Sequence, residues 1–165
     1  MHALCATGGG FLVAVLWFDL MFDVQVLGHP AAATLPESVL ASIAAYYRRV
    51  TTDGAPMGNL VGVVMLLTLV VAAATVLRAG GGRRGSRRSR RGLPFLALLV
   101  GAAPILLAVF WVLPDAVALG ARSGTPSVQS ALAWSIFRAH VFCLGAMAVF
   151  VLLQLRLAAL SGRGT

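Results

Sequence analysis

The stretch FLVAVLWFDLMFDVQVL, residues 11–27, is apolar enough to lie inside a membrane, yet it contains two aspartates. Asp19 and Asp23 are about one helical turn apart, and residues at this spacing lie one above the other on one face of an α-helix. An ionisable side chain in a bilayer costs roughly 2.5–3.5 kcal/mol on the insertion scale, so such side chains face other helices and find partners there. We therefore expect both carboxylates to point into a bundle of helices.

The rest of the chain has the composition of a membrane protein. Of its 165 residues, 59% are hydrophobic and 11% are charged, whereas about 25% of the residues of a soluble domain are charged. Four apolar stretches approach or exceed the length of about 20 residues that crosses a bilayer core. They predict helices over residues 10–27, 57–77, 93–113 and 131–155. The predicted fold is all-α, an integral membrane four-helix bundle that forms a single transmembrane domain over residues 1–165.

The arginines predict how these helices are oriented. Seven of the thirteen basic residues lie in the connection of residues 78–92, whose Gly and Ser residues predict a flexible loop. Arg156 and Arg163 follow the last helix, and positively charged residues stay on the cytoplasmic side of a membrane. Both termini and the Arg-rich loop are therefore predicted to be cytoplasmic, in a multi-pass protein of the plasma membrane.

The Arg-rich loop has two candidate partners. Clustered Arg side chains neutralise the phosphates of nucleic acids, but residues 78–91 contain no aromatic side chain on which a base could stack. Anionic lipid headgroups attract a basic segment next to a membrane without such stacking. The predicted partners are the lipid bilayer and its anionic headgroups, with no nucleic acid. Association with a second copy or with other membrane subunits stays open.

Residues 35–50, between the first two spans, have the pattern of a short amphipathic helix. Apolar side chains recur there at steps of three and four residues, which places them on one stripe of a helix. The stripe consists of Val39, Leu40, Ile43, Tyr46, Tyr47 and Val50. Thr34 and Glu37 have the spacing of a capping box at its start. We expect this helix in the first outer loop, lying on the outer membrane face or capping the bundle, with its tyrosines at the interface or at a pocket mouth.

The fourth span supplies a candidate partner for the aspartates. At 1.5 Å per residue, Asp23 lies about 20 Å and Arg138 about 25 Å above the inner face, so we predict that the two side chains pair. Two carboxylates around one guanidinium leave one negative charge, which a proton, a substrate cation or a tyrosine hydroxyl would neutralise. The predicted polar pocket therefore contains Asp19, Asp23, Arg138, Tyr46 and Tyr47. The alternative is an ion pair that only fixes the packing of the helices.

Three further residues are secondary candidates for the site: His140, Trp134 and His29. His140 points nearly opposite to Arg138, because two residues advance about 200° around a helix. Haem bound between His29 and His140 is one cofactor to consider, since paired imidazoles are haem ligands. The two cysteines have neither a CxxC nor a Cys/His spacing, so neither a metal site nor a disulfide is predicted.

Two motifs in the second half of the chain carry a resemblance to a known group. These are LPDAVAL, residues 113–119, and WSIFRAH, residues 134–140. With four spans and a helical outer loop, the chain is similar to small four-helix bacterial membrane proteins of the anthrone-oxygenase-like group. The matching positions are Pro114, Trp134, Arg138 and His140, with Asp115 where the group has Asn. The resemblance implies an oxygenase-like or small-ligand activity.

Three classes of function follow from these features. The leading hypothesis is a non-catalytic component of a membrane complex, or a scaffold, whose helices an intramembrane Asp–Arg pair orders. The first alternative is a small membrane enzyme or ligand-binding protein with an outward-facing pocket. The second alternative is a proton or ion pathway, although the inner halves of the helices offer no polar relay to continue it.

Overall fold

The computed structural model describes residues 1–30, 34–79 and 87–162, and these ranges form six α-helices and no β-strand. The helices are α1 (His2–Asp23), α2 (Glu37–Arg48), α3 (Ala55–Ala79), α4 (Arg87–Leu107), α5 (Leu113–Gly120) and α6 (Pro126–Gly162). Among these described residues, four helical segments are long and apolar enough to cross a membrane. These segments are His2–Gly28, Pro56–Ala79, Gly92–Gly120 and Pro126–Gly162.

The helices α1, α3, α4 and α6 pack side by side as a four-helix bundle, in which α1 and α4 both lie against α6 and α3 closes the ring. The short helices α2 and α5 lie together at one end, called the α2 end below. The opposite end, called the terminal end, holds the N-terminus, where His2 Nδ1 lies 2.9 Å from Gln154 Oε1 of α6. In an apolar stretch of 18 residues in each segment, only 17% to 28% of the residues are buried, so much apolar surface faces outward.

The predicted amphipathic stripe faces the rest of the protein along α2, with Val39 and Tyr46 partly buried, whereas Val50 follows the helix and is exposed. Leu40, Ile43 and Tyr47 are almost fully inaccessible, and they share a core with Leu119 of α5 and Ile136 of α6. Helix α2 therefore caps the bundle. The predicted capping box does not form, because Pro36 is the N-cap residue and the Glu37 carboxylate pairs with Arg122.

A second core fills the terminal half of the bundle around Phe150, which is fully buried. A Cβ added to Gly101 of α4 would lie 2.7 Å from a Phe150 ring atom, and one added to Gly9 of α1 would lie 3.0 Å from another. These two glycines let α1 and α4 pack closely on the ring. By contrast, a Cβ on Gly62 would meet nothing within 4 Å.

The helices extend beyond the apolar stretches from which they were predicted. Helix α1 begins at His2 rather than near residue 10, and α6 continues to Gly162. The predicted flexible loop of residues 78–92 is shorter at both ends, because α3 continues to Ala79 and α4 begins at Arg87. Arginine is a good helix former, so helices run into basic segments at their ends. Residues 80–86, the centre of this loop, lie outside the described residues.

Candidate functional site

Asp23, at the end of α1, is the most enclosed carboxylate of the described chain, with 1% of its surface exposed. The Tyr47 hydroxyl of α2 donates a hydrogen bond of 2.6 Å to its Oδ1 atom. His140 of α6 places Nδ1 2.6 Å from Oδ2. Because a carboxylate accepts hydrogen bonds, this contact assigns the imidazole proton to Nδ1. Both oxygens of Asp23 are thus occupied, by side chains from two other helices.

Asp19, the other carboxylate of α1, accepts a hydrogen bond at only one of its two oxygens. The Tyr46 hydroxyl donates a hydrogen bond of 2.5 Å to Oδ1. The Oδ2 atom lies 3.9 Å from Nε2 of His140, a separation longer than a hydrogen bond. Asp19, Asp23, Tyr46, Tyr47 and His140 form one connected group, called the carboxylate cluster below.

The two tyrosines act as hydrogen-bond donors in this cluster. Burial, and next the charge of Asp19, raise the pKa of Tyr46 well above its ordinary value. Burial and the charge of Asp23 do the same to the pKa of Tyr47. Both hydroxyls therefore keep their protons at neutral pH. Phe22 holds the Tyr46 ring in place by stacking on it, with ring centroids 4.0 Å apart.

Arg138 lies away from the cluster, which corrects the predicted Asp23–Arg138 pair. Its side chain is exposed, and its Cζ atom lies 5.6 Å from the centroid of the Trp134 ring. Since His140 lies about 200° further around α6, the rotation that buries His140 against α1 turns Arg138 outward. An outward arginine can extend along apolar surface to polar headgroups, whereas the shorter imidazole fits between packed helices.

A cavity of about 500 Å³ borders the carboxylate cluster. It lies between α1, α3, α6 and the turn that links α4 to α5, and its walls are mainly aliphatic and aromatic side chains. The lining residues with polar side chains are Asp19, Tyr46, Tyr47, Thr51 and His140. Sites for small organic ligands have volumes of about 300–1,000 Å³ and the same combination of apolar walls with a few polar groups.

The sequence explains why space remains at this place. Helix α3 contributes Gly58 and Gly62, which have no side chains, to the cavity wall beside Val61 and Met65. On the opposite wall, α4 passes through Pro104 into a π-helical turn at Ala108–Val112, where the regular packing of a helix changes. Glycines four residues apart are typical of a close helix contact, but Gly58 and Gly62 lie in the cavity wall.

The other predicted site residues lie apart from the cavity. Trp134 is beneath Arg138, and His29 follows the turn Val24–Gly28 and is not part of the cavity lining. His29 and His140 therefore do not share this site, and the structure gives no support to a haem between them. Within residues 1–30, 34–79 and 87–162, no group of three or more His, Cys, Asp or Glu side chains is arranged to hold a metal ion.

Comparison with known proteins adds no relative. No protein-family model, curated protein or solved structure matches the chain. Among the positions that resemble the anthrone-oxygenase-like group, His140 belongs to the carboxylate cluster, while Pro114 and Asp115 lie in the first turn of α5. The activity that this resemblance implies stays a prediction.

Proposed function

We propose that this chain is a multi-pass membrane protein that binds a lipophilic small molecule in the cavity and holds the polar end of that molecule at the carboxylate cluster. The main support is the cavity of about 500 Å³, which is lined mainly by apolar side chains and also by Asp19 and His140. One oxygen of Asp19 and the Nε2 atom of His140 face each other there at 3.9 Å. A polar ligand group that approaches from the cavity side can bind both atoms.

The proposed orientation follows from the positive-inside rule. The basic connection between α3 and α4 and both termini would be cytoplasmic, and the α2 end would face the outside of the plasma membrane. The cavity would then lie in the outer half of the bilayer. A lipophilic molecule could reach it from the membrane or from the outer interface.

The geometry favours this function over the two other classes. The scaffold hypothesis depended on an intramembrane Asp–Arg pair, and Arg138 is turned away from both aspartates. A proton or ion pathway would have to pass Phe150 to reach the terminal end. Among the described residues, the buried polar side chains of that half are Thr68, Thr75 and Gln154, which include no carboxylate and no basic group. A ligand pocket needs neither the pair nor the pathway.

A cavity-filling substitution tests the proposal. Gly62→Trp places a large side chain at the cavity wall, where a Cβ meets nothing within 4 Å. Gly145→Trp is the matched control, since it is equally open but lies on α6 outside the cavity lining. Binding of phenylbutanol, a lipophilic alcohol, is measured by calorimetry on detergent-purified protein, with the heat of empty micelles subtracted.

We expect saturable binding to the wild-type protein and to Gly145→Trp, and at least about tenfold weaker binding to Gly62→Trp, because the ligand loses its apolar contacts. The proposal fails if the three proteins give the same heat as empty micelles, both with this alcohol and with the amine of the same shape, phenylbutylamine. It also fails if Gly62→Trp binds as tightly as its control.

A further inference from the structure

We infer that the ligand of the cavity is a lipophilic amine, bound as an ammonium cation with Asp19 as its principal partner. This inference rests on the proposed function and adds the chemical class of the ligand. Three features of the carboxylate cluster support it: its charge, the atoms it leaves without hydrogen bonds, and the aromatic rings beside it.

The charge of the cluster is not balanced. Two carboxylates, Asp19 and Asp23, face one imidazole, and the two tyrosines contribute donors but no positive charge. Of the described residues on α3, α4 and α5, those that line the cavity include neither Arg nor Lys. With both aspartates ionised, even a protonated His140 would leave one negative charge in a site with apolar walls. A proton or a cation neutralises such a buried charge, and an ammonium ligand supplies the cation.

The open positions of the cluster are acceptors. With its proton on Nδ1, His140 presents a lone pair at Nε2, and its side chain is only 6% exposed. Asp19 presents a second acceptor, Oδ2, at 3.9 Å from this nitrogen. An ammonium group carries several N–H bonds and can donate to both atoms at once. A neutral hydroxyl has one hydrogen and can donate to only one of them.

The surroundings of Asp19 also suit a cation with an apolar body. The stacked rings of Phe22 and Tyr46 line the cavity next to this carboxylate, together with Phe18. The face of an aromatic ring attracts a cation, and the attraction is strongest where water is excluded. The remaining walls, which include Leu12, Met65 and Met147, would cover a hydrocarbon chain or ring.

A matched pair of probes separates charge from shape. Phenylbutylamine and phenylbutanol have nearly the same size, but at neutral pH the amine carries a positive charge, as the side chain of Lys does. Their affinities are compared by calorimetry for wild type, Asp19→Asn and Asp115→Asn. The asparagine at position 19 can still accept the hydrogen bond from Tyr46. Asp115 bonds to Ser135 outside the cavity lining, so its variant is a control of identical chemistry.

We expect the wild-type protein and Asp115→Asn to bind the amine at least about tenfold more tightly than the alcohol, since charge-assisted hydrogen bonds are about twice as strong as neutral ones. Asp19→Asn should lose this preference while it binds the alcohol as wild type does, which also shows that its cavity is intact. Equal affinities of wild type for both probes would overturn the inference and leave the proposed function standing. If wild type binds neither probe, both are overturned.

Discussion

At the scale of single residues, the site depends on which side of α6 faces α1. The sequence predicted that Asp19 and Asp23 share a buried face, because the period of an α-helix fixes that relation within one element. It could not decide between Arg138 and His140. These residues point in nearly opposite directions, and the rotation of α6 depends on contacts such as those of Ile136 and Cys143, which pack between helices. Charge alone favoured Arg138 as the partner of Asp23, whereas the packing of α6 places His140 there.

The protonation of the tyrosines gives a prediction at this scale. The chain has two tyrosines, and both belong to the carboxylate cluster. Their raised pKa means that the folded state keeps protons which the unfolded state releases at about pH 10. Their contribution to stability is therefore complete below about pH 10 and is lost as the pH rises above it.

Ultraviolet absorbance of phenolate, measured together with helical circular dichroism, tests this prediction. We expect phenolate to appear only as the helical signal falls. In denaturant, both tyrosines should titrate together at about pH 10. A rise of phenolate absorbance near that pH, with the helical signal unchanged, would show that the hydroxyls are not buried against carboxylates.

At the scale of elements, hydrophobic stretches predicted the four long helices but not their ends. An apolar stretch marks only the part of a helix that can lie in lipid. The helix itself continues through polar or basic turns on either side, and α4, for example, begins at Arg87. The cavity was not predictable for a similar reason. Small residues permit either a close helix contact, as at Gly101, or an open wall, as at Gly62. Only the position of the neighbouring helix decides between the two.

The packing of Phe150 gives a prediction for the elements. Gly101→Leu would force a side chain into the space of the Phe150 ring, which is fully buried, and overpacking of this kind costs about 1–3 kcal/mol. Gly145→Leu adds the same side chain at an open position of α6. Thermal unfolding in detergent should show a lower Tm for Gly101→Leu and no loss for Gly145→Leu. Equal Tm values would contradict the close packing of α4 on α6.

At the scale of the whole molecule, composition predicts the class of protein and the distribution of arginine predicts its orientation. The contacts between helices determine neither. The four long apolar helices account for most of the chain, and their outward surface is apolar. The proposed orientation follows from charge alone, because a bundle with outward apolar surfaces is compatible with either direction of insertion. The position of the cavity between the two cores, by contrast, arises only from the three-dimensional arrangement.

Cysteine labelling in intact cells tests the orientation. Both native cysteines are buried thiols, so reagents reach introduced ones in preference. Thr52→Cys adds an exposed thiol after α2, and Ser161→Cys adds one near the end of α6. A membrane-impermeant maleimide should label Thr52→Cys in intact cells and Ser161→Cys only after the membrane is opened. The reverse pattern would contradict cytoplasmic termini.

The most direct test of the account is a double-mutant cycle on the free energy of unfolding in detergent. Asp23→Asn is combined with His140→Gln in one cycle and with Arg138→Gln in a second, matched cycle. Residues in one hydrogen-bond network couple by about 0.5–3 kcal/mol, whereas independent residues are additive within about 0.5 kcal/mol. We predict coupling in that range between Asp23 and His140, and additivity between Asp23 and Arg138. Additivity in the first cycle together with coupling in the second would contradict the central claim that His140, and not Arg138, holds the buried carboxylate.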